Sequence, residues 1–91
     1  MANNLEPLYY AIIRHFTNDC ESCAADVVDA LKPNYARYKL LTLHDVDDAL
    51  AVAKENGILE ETRCDLDSTG SLRIFYRITD FGADMISRYL D

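Results

Sequence analysis

The chain has 91 residues, an apolar fraction of 49% and a formal net charge of −7. This length predicts a single domain over residues 1–91, and no apolar run approaches the roughly 18 residues that would cross a membrane. The first residues lack the basic stretch of a signal peptide, and three cysteines cannot all pair within one chain. We therefore expect reduced thiols and a cytoplasmic protein.

Charge is distributed unevenly along the chain. Residues 32–44 hold three basic groups and no acidic group, whereas residues 45–67 hold two basic and eight acidic groups. Nucleic-acid-binding proteins usually carry a basic face. Residues 32–39 form the only positive block, and they are the segment that favours contact with phosphates.

The first helix is predicted over residues 5–17, where apolar residues recur at spacings of three and four. Asn4 can cap this helix. Pro7 is tolerated in its first turn, because the N–H that proline lacks would have no helical partner there. Residues 20–22 are long enough for a bridge strand only.

The second helix is predicted over residues 23–31, with Ser22 as its N-cap. Pro33 should end this helix, because the residue before a proline avoids the helical region. The following segment, residues 34–41, is too long for a minimal helix-turn-helix turn. The geometry between the second and third helices is therefore left open.

The third helix is predicted over residues 43–56. Thr42 is placed to be its N-cap, and Asp45 in the first turn is favourable at the positive end of the helix dipole. Gly57 should end the helix, because glycine adopts the left-handed conformation without steric cost. Helical spacing predicts a buried face made of Leu43, Val46, Ala49, Leu50 and Ala53.

A β-hairpin is predicted next, because the apolar period changes to two. Its turn consists of residues 67–70, all of them turn formers. The side chains expected to face inward are Ile58, Thr62, Cys64 and Leu66 on the first strand, and Leu72, Ile74, Tyr76 and Ile78 on the second.

The register of the hairpin is predicted from its core and its charges together. Pairing Leu66 with Leu72 keeps both apolar sets on one face. The same register also places two pairs of opposite charges across the ladder, Asp65 with Arg73 and Glu61 with Arg77. The last helix is then predicted from Asp80 to the end of the chain, with an apolar side that can fold back onto the first helix.

Two segments of the chain carry a family resemblance. They are Ala49-Leu50 with Asn56-Gly57-Ile58-Leu59-Glu60, and Tyr76-Arg77-Ile78-Thr79-Asp80-Phe81-Gly82. This pattern resembles the winged helix-turn-helix superfamily, in particular its PadR-like and MarR-like regulators. The resemblance covers nearly the whole chain. It implies a mainly α fold with a small antiparallel β-hairpin (α+β), in the order helix, strand, helix, helix, strand, wing, strand, helix.

The resemblance implies a small dimeric transcriptional regulator that binds double-stranded DNA. In such proteins the third helix enters the major groove, and terminal helices commonly build the dimer. The implied dimer interface consists of Phe81, Met85, Ile86, Tyr89 and Leu90. The candidate DNA contacts are Lys32, Tyr35, Arg37, Tyr38, Lys39, Thr42, His44, Arg63 and Arg73. Two alternatives remain open: residues 32–39 form a solvated loop whose tyrosines pack on the core, and Arg73 is tied to Asp65.

The third helix favours a different function. It carries Asp45, Asp47 and Asp48 at the end that would meet DNA, and carboxylates add repulsion where affinity normally comes from neutralising phosphates. The alternative is a protein-interaction module that binds a basic protein partner and no DNA, because complementary charge steers association. A simply solvated acidic face is the third interpretation.

A metal site or an enzyme active site has little support. Cys20 and Cys23 form a Cys-x-x-Cys pair, and His15 and Cys64 could complete a tetrahedral zinc site. No second such pair is present in the sequence, so buried thiols that pack as small apolar groups are the simpler interpretation, and no cofactor is expected. Two histidines and scattered carboxylates assemble no catalytic group, and the three glycines form no phosphate-binding loop.

Overall fold

The structure is a computed structural model that describes residues 7–18, 20–35 and 41–89. Within these ranges it contains four helices and a two-stranded antiparallel hairpin, as predicted. The elements are α1 Leu8–His15, continued by a 3₁₀ turn over Phe16–Asn18, α2 Ala24–Tyr35, α3 Leu43–Glu55, β1 Leu59–Leu66, β2 Leu72–Ile78 and α4 Asp80–Tyr89. Residues 67–71, between the two strands, are called the wing. At residues 20–22, where only a bridge strand was predicted, a single bridge joins Ser22 to Tyr76.

The first helix begins later than predicted, because Pro7 precedes it as the N-cap residue instead of lying in its first turn. The carbonyl oxygen of Pro7 accepts hydrogen bonds from the N–H groups of Tyr10 and Ala11, at 3.0 and 3.1 Å. Proline suits this position because only its carbonyl is needed. The predicted cap, Asn4, lies outside the described residues.

Cys23, the residue directly before α2, occupies the N-cap position, so the prediction that Ser22 is the N-cap is wrong. The carbonyl of Cys23 accepts the N–H of Val27 at 3.2 Å, and its own N–H donates to Oδ2 of Asp26 at 3.2 Å. An acidic side chain in the first turn thus satisfies a donor at the positive end of the helix. The hydroxyl of Ser22 instead lies 3.0 Å from Nε2 of His15.

The second helix also continues through Pro33 to Tyr35, so the predicted stop at Pro33 is wrong. Proline removes the hydrogen bond to the carbonyl of Asp29, but both residues are exposed, so water can replace the lost donor. The ring of Tyr35 is only 5% exposed and belongs to the core. Burial of this ring stabilises the last turn despite the proline.

The third helix is capped as predicted. The hydroxyl oxygen of Thr42 accepts a hydrogen bond from the N–H of Asp45 at 3.1 Å. At the other end Gly57 has a φ of +79°, the left-handed conformation in which glycine is favoured. Leu43 was predicted to be buried, but this prediction is wrong. The residue is 57% exposed, because the first turn of α3 lies at the edge of the core.

The half of the hairpin nearest the wing has the predicted register. Leu66 lies opposite Leu72, and Asp65 lies opposite Arg73. Its apolar face is not buried, however, since Leu66 is 65% and Leu72 is 62% exposed. Cys64, also predicted to face inward, is exposed. This half of the hairpin extends past the core, so its apolar side is largely open to solvent.

The other half of the hairpin contains a β-bulge between Glu61 and Arg63. The bulge shifts the register by one residue, so Glu60 lies opposite Arg77 and the predicted pair of Glu61 with Arg77 is wrong. Thr62, the extra residue, is exposed instead of facing inward.

Thr79 ties the start of α4 to the end of α3. Its hydroxyl lies 2.6 Å from the carbonyl oxygen of Gly57, to which it donates, and accepts the N–H of Gly82 at 2.9 Å. The N–H of Thr79 donates to the carbonyl oxygen of Ile58, also at 2.9 Å. These bonds bring Gly82 against the backbone of Ile58, where no side chain would fit.

Part of the apolar side of α4 is used within the chain itself. Ile86 is 3% exposed and belongs to the core, and Met85 packs against that core. Ile86 is therefore a core residue, which corrects its prediction as a dimer contact. Phe81 is 58% exposed. The side chain of Tyr89 and all of Leu90 lie outside the described part of the chain.

One apolar core joins all four helices and both strands. Its largest fully buried side chains are Phe16, Ile12, Ile13, Leu50, Leu59, Val27 and Val46. Among the described helices, none has the length and apolarity needed to cross a bilayer.

Candidate nucleic-acid interface

The outer surface of α3 near its N-terminus is acidic. His44, Asp47 and Asp48 are exposed there. Nε2 of His44 lies 3.3 Å from Oδ2 of Asp48, and the two side chains are 83% and 67% exposed. The imidazole that was predicted to contact DNA is exposed, but it already has a carboxylate beside it.

Thr42, another predicted DNA contact, makes its hydrogen bonds within its own helix. Its hydroxyl accepts the N–H of Asp45 at 3.1 Å and donates to Oδ2 of the same residue at 2.8 Å. A phosphate or a base edge would have to replace bonds that start the helix. The role that the structure gives to Thr42 is therefore that of a helix cap.

The wing also presents a carboxylate. Oδ1 of Asp67 accepts hydrogen bonds from the hydroxyl of Thr69 at 2.6 Å and from the N–H groups of Thr69 and Ser71 at 2.8 and 3.0 Å. These bonds, chiefly the one from the Thr69 hydroxyl, lower the pKa of Asp67 and favour its charged form. The wing thus carries a stabilised negative charge.

Arg63 lies on the outer face of the hairpin and is held by three contacts. Its Nε donates to Oε1 of Glu21 at 2.8 Å, and its Nη1 donates to Oδ2 of Asp65 at 3.2 Å. Its guanidinium carbon lies 3.8 Å from the ring centre of Phe75, a cation–π arrangement. Hydrogen bonds from Thr62 and then from Arg63 lower the pKa of Glu21.

Arg73 forms a bidentate ion pair with Asp65, its predicted cross-strand partner. Nε and Nη2 of Arg73 donate to the two carboxylate oxygens at 2.7 and 2.8 Å, which lowers the pKa of Asp65. Exposed ion pairs are individually weak, so a DNA phosphate could displace Asp65 from Arg73, or Glu21 from Arg63. The displaced carboxylates would then lie unpaired beside the DNA backbone. Arg63 and Arg73 are therefore poor phosphate ligands in this arrangement.

Among the described residues, Lys32 is better placed for a phosphate contact than Arg63 or Arg73. It is exposed on α2, and no acidic side chain among the described residues pairs with it. Three other basic side chains have acidic partners: Lys54 with Glu61 at 2.8 Å, Arg77 with Glu60 at 3.9 Å, and Arg88 with Asp84 at 2.9 Å.

The remaining predicted DNA contacts lie close to Lys32 in sequence. Tyr35 is corrected from a phosphate contact to a core residue, because its ring is buried. Arg37, Tyr38 and Lys39 lie outside the described residues, so their contacts with DNA stay predictions.

The weak zinc candidates each have other surroundings. The thiol of Cys20 donates to the carbonyl oxygen of His15 at 3.4 Å, and the thiol of Cys23 donates to Asp26 at 3.5 Å. Cys64 is exposed on β1. Burial lowers the pKa of His15. Within the described ranges, no three His, Cys, Asp or Glu side chains are grouped as metal ligands would be.

Two residues of this surface were missed by sequence reasoning. Glu21 reaches Arg63 because the bridge between Ser22 and Tyr76 places the segment before α2 alongside the hairpin. Phe75 is 6% exposed on the outer face because the Arg63 guanidinium covers it. An aromatic residue alternating with arginines on a strand was the available signal for this stack.

Similar folds occur in solved structures of transcriptional regulators. Bacillus subtilis PadR in complex with operator DNA matches with a TM-score of 0.73 and 19% identity, over 91% of this chain and 46% of that one. A PadR-like transcriptional regulator from Bacillus cereus strain ATCC 14579 matches with a TM-score of 0.68 and 18% identity, over 91% and 77%. A transcriptional regulator homologue from Pyrococcus horikoshii OT3 matches with a TM-score of 0.68 and 20% identity, over 93% of this chain and 74% of that one.

These matches confirm the winged-helix fold. The chain spans about half the length of Bacillus subtilis PadR, 46%, and most of the other two chains. No protein-family model matches the chain, and no curated protein matches it in sequence.

Proposed function

We propose that this chain is a winged-helix DNA-binding protein that regulates transcription as a dimer in the cytoplasm. The observation that carries the proposal is the fit of 91% of the chain, at a TM-score of 0.73, to a protein bound to operator DNA. The exposed outer side of α3 near its N-terminus supports it, because a helix in this fold reads the major groove from that end.

The phosphate contacts are proposed to come from Lys32 and from the predicted contacts Arg37 and Lys39. Arg63 and Arg73 contribute little to phosphate binding, because they already form ion pairs with Glu21 and Asp65. Three cations per protomer are few for a DNA-binding protein. If a dimer neutralises six phosphates, the logarithm of the binding constant falls with the logarithm of salt concentration with a slope of about −5.

Base recognition is proposed to fall to the exposed side chains of α3. Asp47 and Asp48 can accept a hydrogen bond only, and in the major groove cytosine offers a donor at N4. His44 can meet acceptors on guanine or adenine when its ring N–H points outward. The acidic surface thus favours selectivity over affinity, because its carboxylates repel phosphates wherever no such donor is present.

A dimer is proposed to form through α4. Phe81 is an exposed aromatic residue of this helix, while Ile86 is already in the core. Tyr89 and Leu90 remain predicted interface residues. Dimer formation would let two copies of α3 contact successive half-sites, which is how helix-turn-helix proteins gain affinity.

The proposal is tested by fluorescence anisotropy of a labelled duplex of about 30 bp at roughly 50 mM salt, where phosphate contacts are strongest. The wild-type chain should bind, and added salt should weaken the binding. Replacing Arg37 and Lys39 together by alanine should weaken binding to all sequences. The salt slope should flatten by about one unit for each lost phosphate contact.

The matched control removes two cations elsewhere. Lys54→Ala with Arg88→Ala changes the net charge equally, but both side chains have acidic partners within the chain. An equal loss of affinity in this control would show a general charge effect and remove residues 32–39 from the proposal. A wild-type chain that binds no duplex at high micromolar concentration would contradict DNA binding altogether.

A further inference from the structure

A narrow cleft lies between α3, the segment where α2 begins, the wing and the start of β2. Its walls include the apolar side chains Leu43, Leu72 and Ile74, together with Ala24 at the start of α2. The cleft has a volume of about 90 Å³. Sites for drug-sized ligands measure about 300–1,000 Å³. This cleft therefore suits a single aliphatic or aromatic side chain better than a whole small molecule.

The rim of the cleft is an exposed apolar surface. Leu43 is 57% exposed on one side and Leu72 is 62% exposed on the other. Leu66, the cross-strand partner of Leu72, is 65% exposed and continues the surface along the hairpin. Scattered apolar residues need no explanation, but neighbouring ones mark interaction sites. The alternation of the hairpin strands makes this face apolar, and the residues that the structure describes leave it exposed.

The charges around the cleft are negative. Asp47 of α3 and Asp67 of the wing both line it. The basic side chain that also lines it, Arg73, is neutralised by its bidentate pair with Asp65. The charge complementary to this rim is therefore positive.

We infer that the cleft docks a partner protein through an apolar side chain flanked by lysine or arginine. The apolar side chain enters between Leu43 and Leu72, and the flanking cations meet Asp47 and Asp67. DNA fits the cleft poorly, because its phosphates would meet the same carboxylates. A second copy docked symmetrically would bring like charges together.

Docking of a partner in this cleft is a second activity besides the proposed DNA binding, and it would regulate that DNA binding. Leu43 and Asp47 lie in the first two turns of α3, the part proposed to face DNA. A segment docked in the cleft would cover that part, so partner and DNA would exclude each other. Docking itself does not require that DNA binds.

The test begins with selection from a displayed library of random peptides on the whole, purified chain. Enriched peptides should carry an apolar residue flanked by lysine or arginine. A labelled consensus peptide is then titrated with variants, and Leu72→Lys should weaken its binding by about tenfold or more. Leu43→Lys should act in the same direction, and Asp47→Asn more weakly.

Val52→Lys is the matched control. Val52 is 49% exposed on α3 and does not line the cleft, so the variant makes the same charge change elsewhere. All the replaced side chains are exposed, and circular dichroism checks that each variant folds. If Leu72→Lys alone fails to fold, Leu43→Lys carries the test.

Four outcomes would overturn the inference. The selection could enrich no peptide, the consensus could bind Leu72→Lys as tightly as wild type, or Val52→Lys could lose binding equally. Self-association of the wild type that Leu72→Lys abolishes would also overturn it, because the occupant would be a second copy. Failure of the duplex titration would leave the peptide result standing, since the two assays use different ligands.

Discussion

Replacing Gly82 with alanine should destabilise the protein, although alanine favours helices. Gly82 lies in the first turn of α4, which Thr79 ties to Gly57 and Ile58. A Cβ at position 82 would overlap the carbonyl oxygen of Ile58 and lie 3.0 Å from side-chain carbons of Ile58 and Ile78. The carbonyl is part of the backbone and cannot rotate away, so the helix would have to shift.

The cost of this shift combines three effects. Overpacking a well-packed site costs about 1–3 kcal/mol. Weakening one or two hydrogen bonds of Thr79 adds about 1 kcal/mol each. The higher helix propensity of alanine returns about 1 kcal/mol. The free energy of unfolding should therefore fall by about 1–4 kcal/mol, and Tm by roughly 4–8 °C for each kcal/mol in a domain of this size.

Urea unfolding followed by circular dichroism measures this change. The control is Ser87→Ala, an exposed position of the same helix, which should stay within about 0.5 kcal/mol of the wild type. A Gly82→Ala protein as stable as the wild type would refute the close contact, and with it the argument that Thr79 holds α4 against Ile58.

Two further predictions concern protonation and assembly. Burial lowers the pKa of His15 from its ordinary value of 6.5, so between the two pKa values the unfolded chain binds more protons. The contribution of neutral His15 to the free energy of unfolding should be fully present above pH 6.5 and should decrease as the pH falls below it. His15→Gln should flatten this pH dependence, measured by urea unfolding between about pH 7.5 and 5.5. An unchanged pH dependence in the variant would contradict the prediction. Sedimentation velocity should find a dimer that Phe81→Asp converts to a monomer, while Leu66→Asp leaves it intact. A monomeric wild-type chain would rule out the proposed α4 interface.

Features decided by neighbouring residues could be predicted from the sequence. Thr42 caps α3 and Gly57 ends it, because a cap or a left-handed turn depends on a few adjacent backbone groups. The pairings of Leu66 with Leu72 and of Asp65 with Arg73 also lie where predicted, since a short turn fixes the register beside it.

Features decided by distant contacts could not be predicted in the same way. Helix α2 continues beyond Pro33 because Tyr35 is buried in a core to which the other elements contribute. Leu43 and Leu72 have the spacing of buried residues, yet both are exposed because they lie beyond the edge of that core. A pattern shows which side of an element is apolar, but it does not show how far the core extends along it.

The sequence by itself determined the winged-helix architecture, the acidic face of α3 and the single basic block at residues 32–39. Only the tertiary structure decided which basic side chains remain available to bind phosphates. Arg63 and Arg73 look like phosphate ligands in sequence, but Glu21 and Asp65 occupy them. Glu21 is 42 residues away from Arg63 along the chain. The physical reason is that ion pairing depends on distances in space, and only the folded chain brings Glu21 to the hairpin.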